Sequence, residues 1–211
     1  MKKILASLLL ILSGCNPTTY KSKASTFLTL GSKNGYQTWL YLCGMLTDFL
    51  PQYMDELNVL DTIGKELNIK ILAVIPQRRC PNLDNRLCWP QDNKEETLRT
   101  YKEIIDSIHQ QIIDGYIGFS NGGFFFTQLA QYITIHKPII AIGSAGNIYN
   151  SQGPHNNIHL LIGKKDQWHY EHAINLYNQS KNTNLTIDLF EYDGGHEIPL
   201  DELKNVLENF L

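Results

Sequence analysis

The sequence carries no excess of basic charge: 18 Lys and Arg stand against 21 Asp and Glu, for a formal net charge of −3. Without a positive field to gather phosphates, nucleic acid is not an expected partner. No apolar run is long enough to cross a bilayer, since the greasiest stretch, Ile4 to Leu12, is about half of the ~20 residues that a spanning helix needs. No spacing of His, Cys, Asp and Glu completes a recognisable metal set, and His155, His159, His169 and His172 read as surface or packing residues. Gly143-Ser144-Ala145-Gly146 lacks the further glycine and helix start that a phosphate or dinucleotide loop requires, so no cofactor is expected. There is no internal repeat and no low-complexity block, and 211 residues at 43% apolar composition suit one full-sized core.

What is present begins with Lys2 and Lys3, the apolar run, and Ser13-Gly14-Cys15, the order of an export signal. Leu12-Ser13-Gly14-Cys15 resembles the lipobox of bacterial lipoproteins. That resemblance implies a signal peptide over 1–14, a lipidated Cys15 as first mature residue, attachment to a membrane of the cell envelope, and a polar tether over 15–25. The alternative is an ordinary secretory signal with a fortuitous cysteine. Cys80 and Cys88 bracket a short Pro, Asn and Asp-containing loop, where a disulfide is sterically plausible in an oxidising compartment and would stabilise by roughly 2.5 kcal/mol. Two free thiols are the other reading of the pair. Cys43, in an apolar run, reads as a buried thiol.

From residue 26 onward, apolar strand-like runs alternate with helical periodicities. Strands are expected at Thr26 to Leu30, Thr38 to Leu42, Ile69 to Ile75, Asp114 to Phe119, Pro138 to Ile142, Ile158 to Ile162 and Leu185 to Tyr192. A helix opening at Pro51 places Met54, Leu57, Leu60, Ile63 or Gly64, and Leu67 on one face. Asn93 with Glu96 has capping-box spacing, and Leu98, Tyr101, Ile105, Ile108 and Ile112 form a stripe along the helix that follows. Further helices are expected over Phe124 to Ile133, Trp168 to Ser180 and Pro199 to Leu211. Alternation of this kind predicts one α/β domain over 26–211 with a doubly wound, mostly parallel sheet. Its ligand crevice lies at the carboxyl ends of the strands.

At that end of one strand stands Gly118-Phe119-Ser120-Asn121-Gly122, a G-x-S-x-G between strand and helix. In such a turn the residues two before and two after the serine must lack bulk, and the hydroxyl stands exposed at the apex. A serine hydroxyl is a poor nucleophile near neutral pH and needs a base, itself oriented by a third group. His196, in Asp193-Gly194-Gly195-His196, is the candidate base, and Asp166 the candidate acid. Asp193 competes with Asp166 but, three residues before His196 on the same turn, is better placed to brace the loop. Asp166 also has a bland reading as an ordinary residue at a helix start.

With Ser120, Asp166 and His196 in that order, the chain resembles the α/β-hydrolase superfamily over roughly Thr26 to Leu211. More narrowly it resembles the compact carboxylesterase, acyl-thioesterase and dienelactone-hydrolase branch, whose histidine also lies in a glycine-containing turn before Pro and a final helix. The resemblance implies a serine hydrolase of carboxylic or thio esters, with an oxyanion hole from the backbone N–H groups of Asn121 and Met45, or Leu46 as the next choice. Many relatives carry His-Gly before the second donor, whereas this chain has Cys43-Gly44-Met45.

By the same resemblance a lid would occupy Gly143 to Asn157, which is short. An open cleft is therefore expected, suited to a small soluble ester or an acyl group presented from a larger molecule. Trp89, Phe124, Trp168 and Tyr170 could line its pocket or belong to the core. The competing class of function is a non-catalytic surface lipoprotein that uses the scaffold for binding.

Overall fold

The computed structural model describes residues 20–21, 26–46, 50–81, 83, 86–108, 111–144 and 146–211. The signal segment 1–14 and Cys15 lie outside the described residues, as does most of the segment read as a tether. Within that segment Tyr20–Lys21 forms a two-residue strand, β1, paired antiparallel with Phe27 and Thr26. Among the described residues no helix is long and apolar enough to cross a membrane.

The remaining strands are β2 (Thr26–Gly31), β3 (Thr38–Leu42), β4 (Lys70–Ile75), β5 (Gly115–Phe119), β6 (Ile139–Ile142), β7 (Asn156–Gly163) and β8 (Leu185–Tyr192). They interleave with α1 (Leu50–Glu66), α2 (Lys94–Ser107), α3 (Asn121–Leu129), α4 (Gln167–Ser180) and α5 (Leu200–Glu208). One sheet runs in the order β1-β2-β4-β3-β5-β6-β7-β8, antiparallel at β1/β2 and β2/β4 and parallel elsewhere.

The central strands β3, β5 and β6 are buried along their whole length. That is why they read as continuous apolar runs: helices cover both faces, so neither side of the pleat meets water. Leu40, Leu42, Tyr116 and Ala141 face the core built with Ile104 of α2, Phe125 and Phe126 of α3 and Leu176 of α4. Trp39, Tyr41, Ile117 and Ile140 face the opposite core, with Leu57 and Leu60 of α1 and Leu203 and Leu207 of α5. The chain leaves β3 towards β4 on one side and later returns to β5 on the other. The strand order therefore reverses at the β3/β5 junction, where a crevice opens in doubly wound sheets.

The helix after Asn93 differs from its sequence pattern. Asn93 caps it, its side-chain oxygen accepting the Glu96 N–H at 3.0 Å. Glu96 does not complete the box, because its carboxylate pairs with Arg78. The helix stops at Ser107, and Ile112 is 77% exposed rather than part of the inward stripe. The reason lies just downstream: the Asp114 carboxylate accepts the Thr38 N–H at 2.9 Å and its own N–H reaches the Thr38 carbonyl at 2.8 Å, drawing the chain into β5.

Between α1 and β3 sits a half-buried carboxyl. Glu56 accepts the Tyr41 hydroxyl at 3.0 Å, and burial pushes its pKa from 4.5 to about 7 despite that hydrogen bond. Between those values the folded chain holds a proton that the unfolded chain has released. The unfolding free energy therefore falls as pH rises from about 4.5 to about 7 and is flat above, a loss of up to about 3 kcal/mol. Glu56→Gln keeps an oxygen for Tyr41 and removes the titration. Urea unfolding at about pH 5 and about pH 8 should show that pH-dependent loss in the parent chain and little of it in the variant.

Candidate active site

Ser120 stands between β5 and α3 with φ 50° and ψ −117°, left-handed backbone that a non-glycine residue holds at a cost of about 1–3 kcal/mol. The surroundings enforce it. The Ser120 N–H reaches the Ile142 carbonyl of β6 at 2.8 Å, and its carbonyl accepts the Phe124 N–H at 3.0 Å to start α3. A methyl at Gly118 would come within 2.5 Å of the Gly122 carbonyl oxygen, and one at Gly122 would overlap the carbonyl of Leu42. The turn can be this tight only because both side chains are missing.

The structure brings Ser120, His196 and Asp166 together. His196 Nε2 lies 3.0 Å from Ser120 Oγ, and His196 Nδ1 lies 2.5 Å from Asp166 Oδ2. Asp166 is the N-cap residue of α4, yet its side chain makes no capping bond and turns to the histidines instead. The glycine turn carrying His196 is held by Lys165 N–H on the Gly194 carbonyl, at 2.8 Å, and by the Tyr192 hydroxyl, which reaches the carbonyls of Gly195 and Glu197. Asp193 points away and pairs with Lys165 at 3.0 Å, so Asp166 and not Asp193 is the carboxylate beside His196.

His169 also belongs to this cluster, against its reading as a surface or packing residue. Its Nδ1 lies 2.8 Å from Asp166 Oδ1, and its ring stacks on that of His196 at 4.2 Å and 16°. Phe119 covers the His196 ring with centroids 4.9 Å apart. Burial works to raise the Asp166 pKa, but the hydrogen bonds from His169 and His196 outweigh it and hold the carboxyl below its ordinary value. For His169 burial dominates and keeps the imidazole below the usual histidine value, although the Asp166 hydrogen bond opposes it. Asp166, His169 and His196 place ligand atoms within 4.8 Å of one another, and both histidine Nδ1 atoms already face the Asp166 carboxylate.

The loop after β3 passes over the serine, so that a methyl on Gly44 would lie 3.1 Å from Ser120 Cβ. Met45 and Asn121 both line the cleft at Ser120. Among the described residues no backbone carbonyl accepts the N–H of either, whereas the Leu46 N–H is taken by Leu87 at 2.9 Å, which removes Leu46 as the alternative donor. Three consecutive residues pin this region. Leu87 exchanges both backbone hydrogen bonds with Leu46, and Cys88 forms a disulfide with Cys80, Cα atoms 5.3 Å apart. The Trp89 N–H donates to Asn121 Oδ1 at 2.6 Å and its indole Nε1–H to the Cys43 carbonyl at 2.8 Å. Cys43 itself is a buried free thiol.

The cleft has a volume of about 390 Å³ and is walled by Phe124, Trp168 and His169 on one side and by Asp92, Gln128 and Tyr149 on another. Of the aromatic residues expected there, Phe124 and Trp168 line it, and Trp168 is 56% exposed at the mouth. Trp89 is instead buried as the clamp just described, and Tyr170 donates its hydroxyl to Glu191 away from the cleft. The β6–β7 connection contributes Asn147 and Tyr149 to the side wall, Tyr149 donating to Asp92, whose backbone also has a positive φ of 57°. Sequence reasoning missed the Asp92–Gln128–Tyr149 group, whose members are far apart along the chain and carry no shared motif.

No family model matches the sequence, and no curated protein matches it significantly. Solved structures do. A carboxylesterase from Mesorhizobium loti superposes with a TM-score of 0.70 at 14% identity, over 92% of this chain and 99% of that one. Esterase PE8 gives 0.65 at 16% identity, over 90% and 100%. An S-formylglutathione hydrolase from Agrobacterium tumefaciens gives 0.58 at 13% identity, over 92% and 93%. The chain therefore has the α/β-hydrolase fold.

Proposed function

We propose that this protein is a serine hydrolase that cleaves carboxylic or thio esters through an acyl-enzyme. The observation that carries this reading is His196 reaching Ser120 Oγ with one ring nitrogen and Asp166 with the other. Its likeness to esterase structures supports the same class. With Asp166 accepting the Nδ1 proton, Nε2 is left as the lone pair facing the hydroxyl, the tautomer a general base needs. Ser120 Oγ attacks the ester carbonyl while its proton passes to His196 Nε2. The tetrahedral oxyanion is met by the N–H groups of Asn121 and Met45, each such donor contributing about 3 kcal/mol or more. The imidazolium returns the proton to the departing alcohol or thiol, and water repeats the sequence to release the acid.

A cleft of about 390 Å³ with amide, carboxylate and phenol groups among aromatic rings suits a small, partly polar acyl group rather than a long chain. The lipobox-like Leu12 to Cys15 supports export and lipid attachment at Cys15, and the Cys80–Cys88 disulfide agrees with an oxidising compartment. A fluorophosphonate probe should label Ser120, located by mass spectrometry of the tryptic peptides, and short nitrophenyl esters should be hydrolysed. A folded protein that does neither would instead be a binding scaffold.

A further inference from the structure

Asp166 serves two imidazoles. It is nearly buried, with 9% of its side chain exposed, and each oxygen is committed to a different ring, Oδ2 to His196 and Oδ1 to His169. An ionised carboxylate only accepts, so both contacts are Nδ1–H donations. His169 sits one turn into α4 from Asp166, the i, i+3 relation that brings two side chains onto one face. Its ring is fixed between His196, stacked at 4.2 Å, and Trp168, edge-on at 4.6 Å, with Phe124 beyond.

We propose that His169 is a positioning residue for the hydrolytic reaction: by occupying Oδ1 it fixes the plane of the Asp166 carboxylate and takes up part of its negative charge, and so governs how tightly His196 holds the catalytic proton. The proposal rests on the serine-hydrolase reading and extends it to a residue outside the three that reading needs. Two stacked imidazolium rings sharing one carboxylate would repel, so His169 has to remain neutral when the reaction places a charge on His196. The groups facing the pair agree with this. From α4 come Asp166 and, one turn on, His172; from the turn after β5 comes the neutral Ser120 hydroxyl. From the other side a cavity that His196 also lines brings Asp55, Glu197 and Glu56, whose carboxyl burial keeps protonated up to about pH 7.

Two substitutions separate the hydrogen bond from the packing. His169→Phe keeps a ring to stack and removes the donor; His169→Asn keeps a donor near the place of Nδ1 and removes the ring. The Phe variant should lose roughly tenfold in kcat, the scale of one charge-assisted hydrogen bond, with KM within about twofold. Its acid limb in kcat/KM should move up by roughly half a pH unit, because the whole carboxylate then faces His196. The Asn variant should recover most of the lost kcat and return the acid limb to the parent position, any effect of the missing ring on the cleft wall appearing in KM. Proton NMR of the ligand-free protein supplies a reading independent of turnover: two low-field Nδ1–H signals in the parent, one in His169→Phe, and a His196 ring titration displaced in the same direction as the acid limb. The proposal is overturned if the Phe variant matches the parent, if the Asn variant is as impaired as the Phe variant, or if the parent shows a single low-field signal. Should the parent hydrolyse no ester at all, the hydrolase reading fails, and the NMR titration alone still decides whether His169 biases His196.

Discussion

Ser120→Ala should reduce ester hydrolysis by roughly 10⁴-fold or more while leaving the melting temperature close to that of the parent chain. The change removes one oxygen from a partly exposed residue, and the backbone that holds the strained turn is untouched, so a loss of turnover cannot be ascribed to unfolding. His196→Ala should fall to a similar floor, and the double variant should fall no further, because the two groups act as one unit and their effects do not add. Asp166→Asn should cost roughly 10³–10⁴-fold, since an amide can donate to Nδ1 and stabilise the wrong tautomer. Asp193→Asn, which disturbs only an exposed pair with Lys165, should stay within about twofold. Initial rates with a nitrophenyl ester, alongside thermal melts, check all five. Equal losses in the Asp166 and Asp193 variants would contradict the assignment of the acid.

Gly122→Ala should destabilise the fold by about 2 kcal/mol or more, and the sign is the informative part. Position 122 lies in the first turn of α3, where alanine is ordinarily the better residue by about 1 kcal/mol. Here the added methyl would run into the main-chain carbonyl of Leu42, and a buried strand backbone cannot swing aside as a side chain can. The strand and the helix must separate, and with them the Met45 loop and Ser120. Urea denaturation should show the loss, and the surviving folded fraction should hydrolyse poorly because Asn121 and Met45, the proposed oxyanion donors, are displaced. Gly195→Ala is the matched control: nothing lies within 4 Å of the place its methyl would occupy, and stability should change by no more than about 0.5 kcal/mol.

The sheet was readable because its central strands are buried on both faces. Thr38–Leu42 and Ile139–Ile142 each form a short, largely apolar block with a glycine within two residues of its end, and no helical period competes. Serine, aspartate and histidine were readable as a set because each follows a parallel strand and topology collects the ends of those strands on one rim. The order of strands was not readable, since nothing local in Lys70–Ile75 says that it will pair antiparallel with β2 on one side and parallel with β3 on the other. Ile112 misled because helical periodicity continues in the sequence after a tertiary contact, Asp114 with Thr38, has already ended the helix. His169 stands at i, i+3 from Asp166, but that spacing is shared by every helix face and does not by itself say that the two side chains meet. Trp89 looked like a pocket aromatic because its two donors find partners, Asn121 and Cys43, that lie 32 and 46 residues away.

For the ester hydrolysis proposed above, the Leu87-Cys88-Trp89 tie has a kinetic consequence. Loops that donate backbone dipoles to a developing anion are commonly exposed and free to fluctuate, and each turnover then spends part of its barrier on reorienting them. Here a covalent ring, a reciprocal pair of main-chain bonds and two tryptophan donors hold the peptide groups near Ser120 in place before any ester arrives. The solvent-like reorganisation that water would undergo around the same charge has been completed during folding.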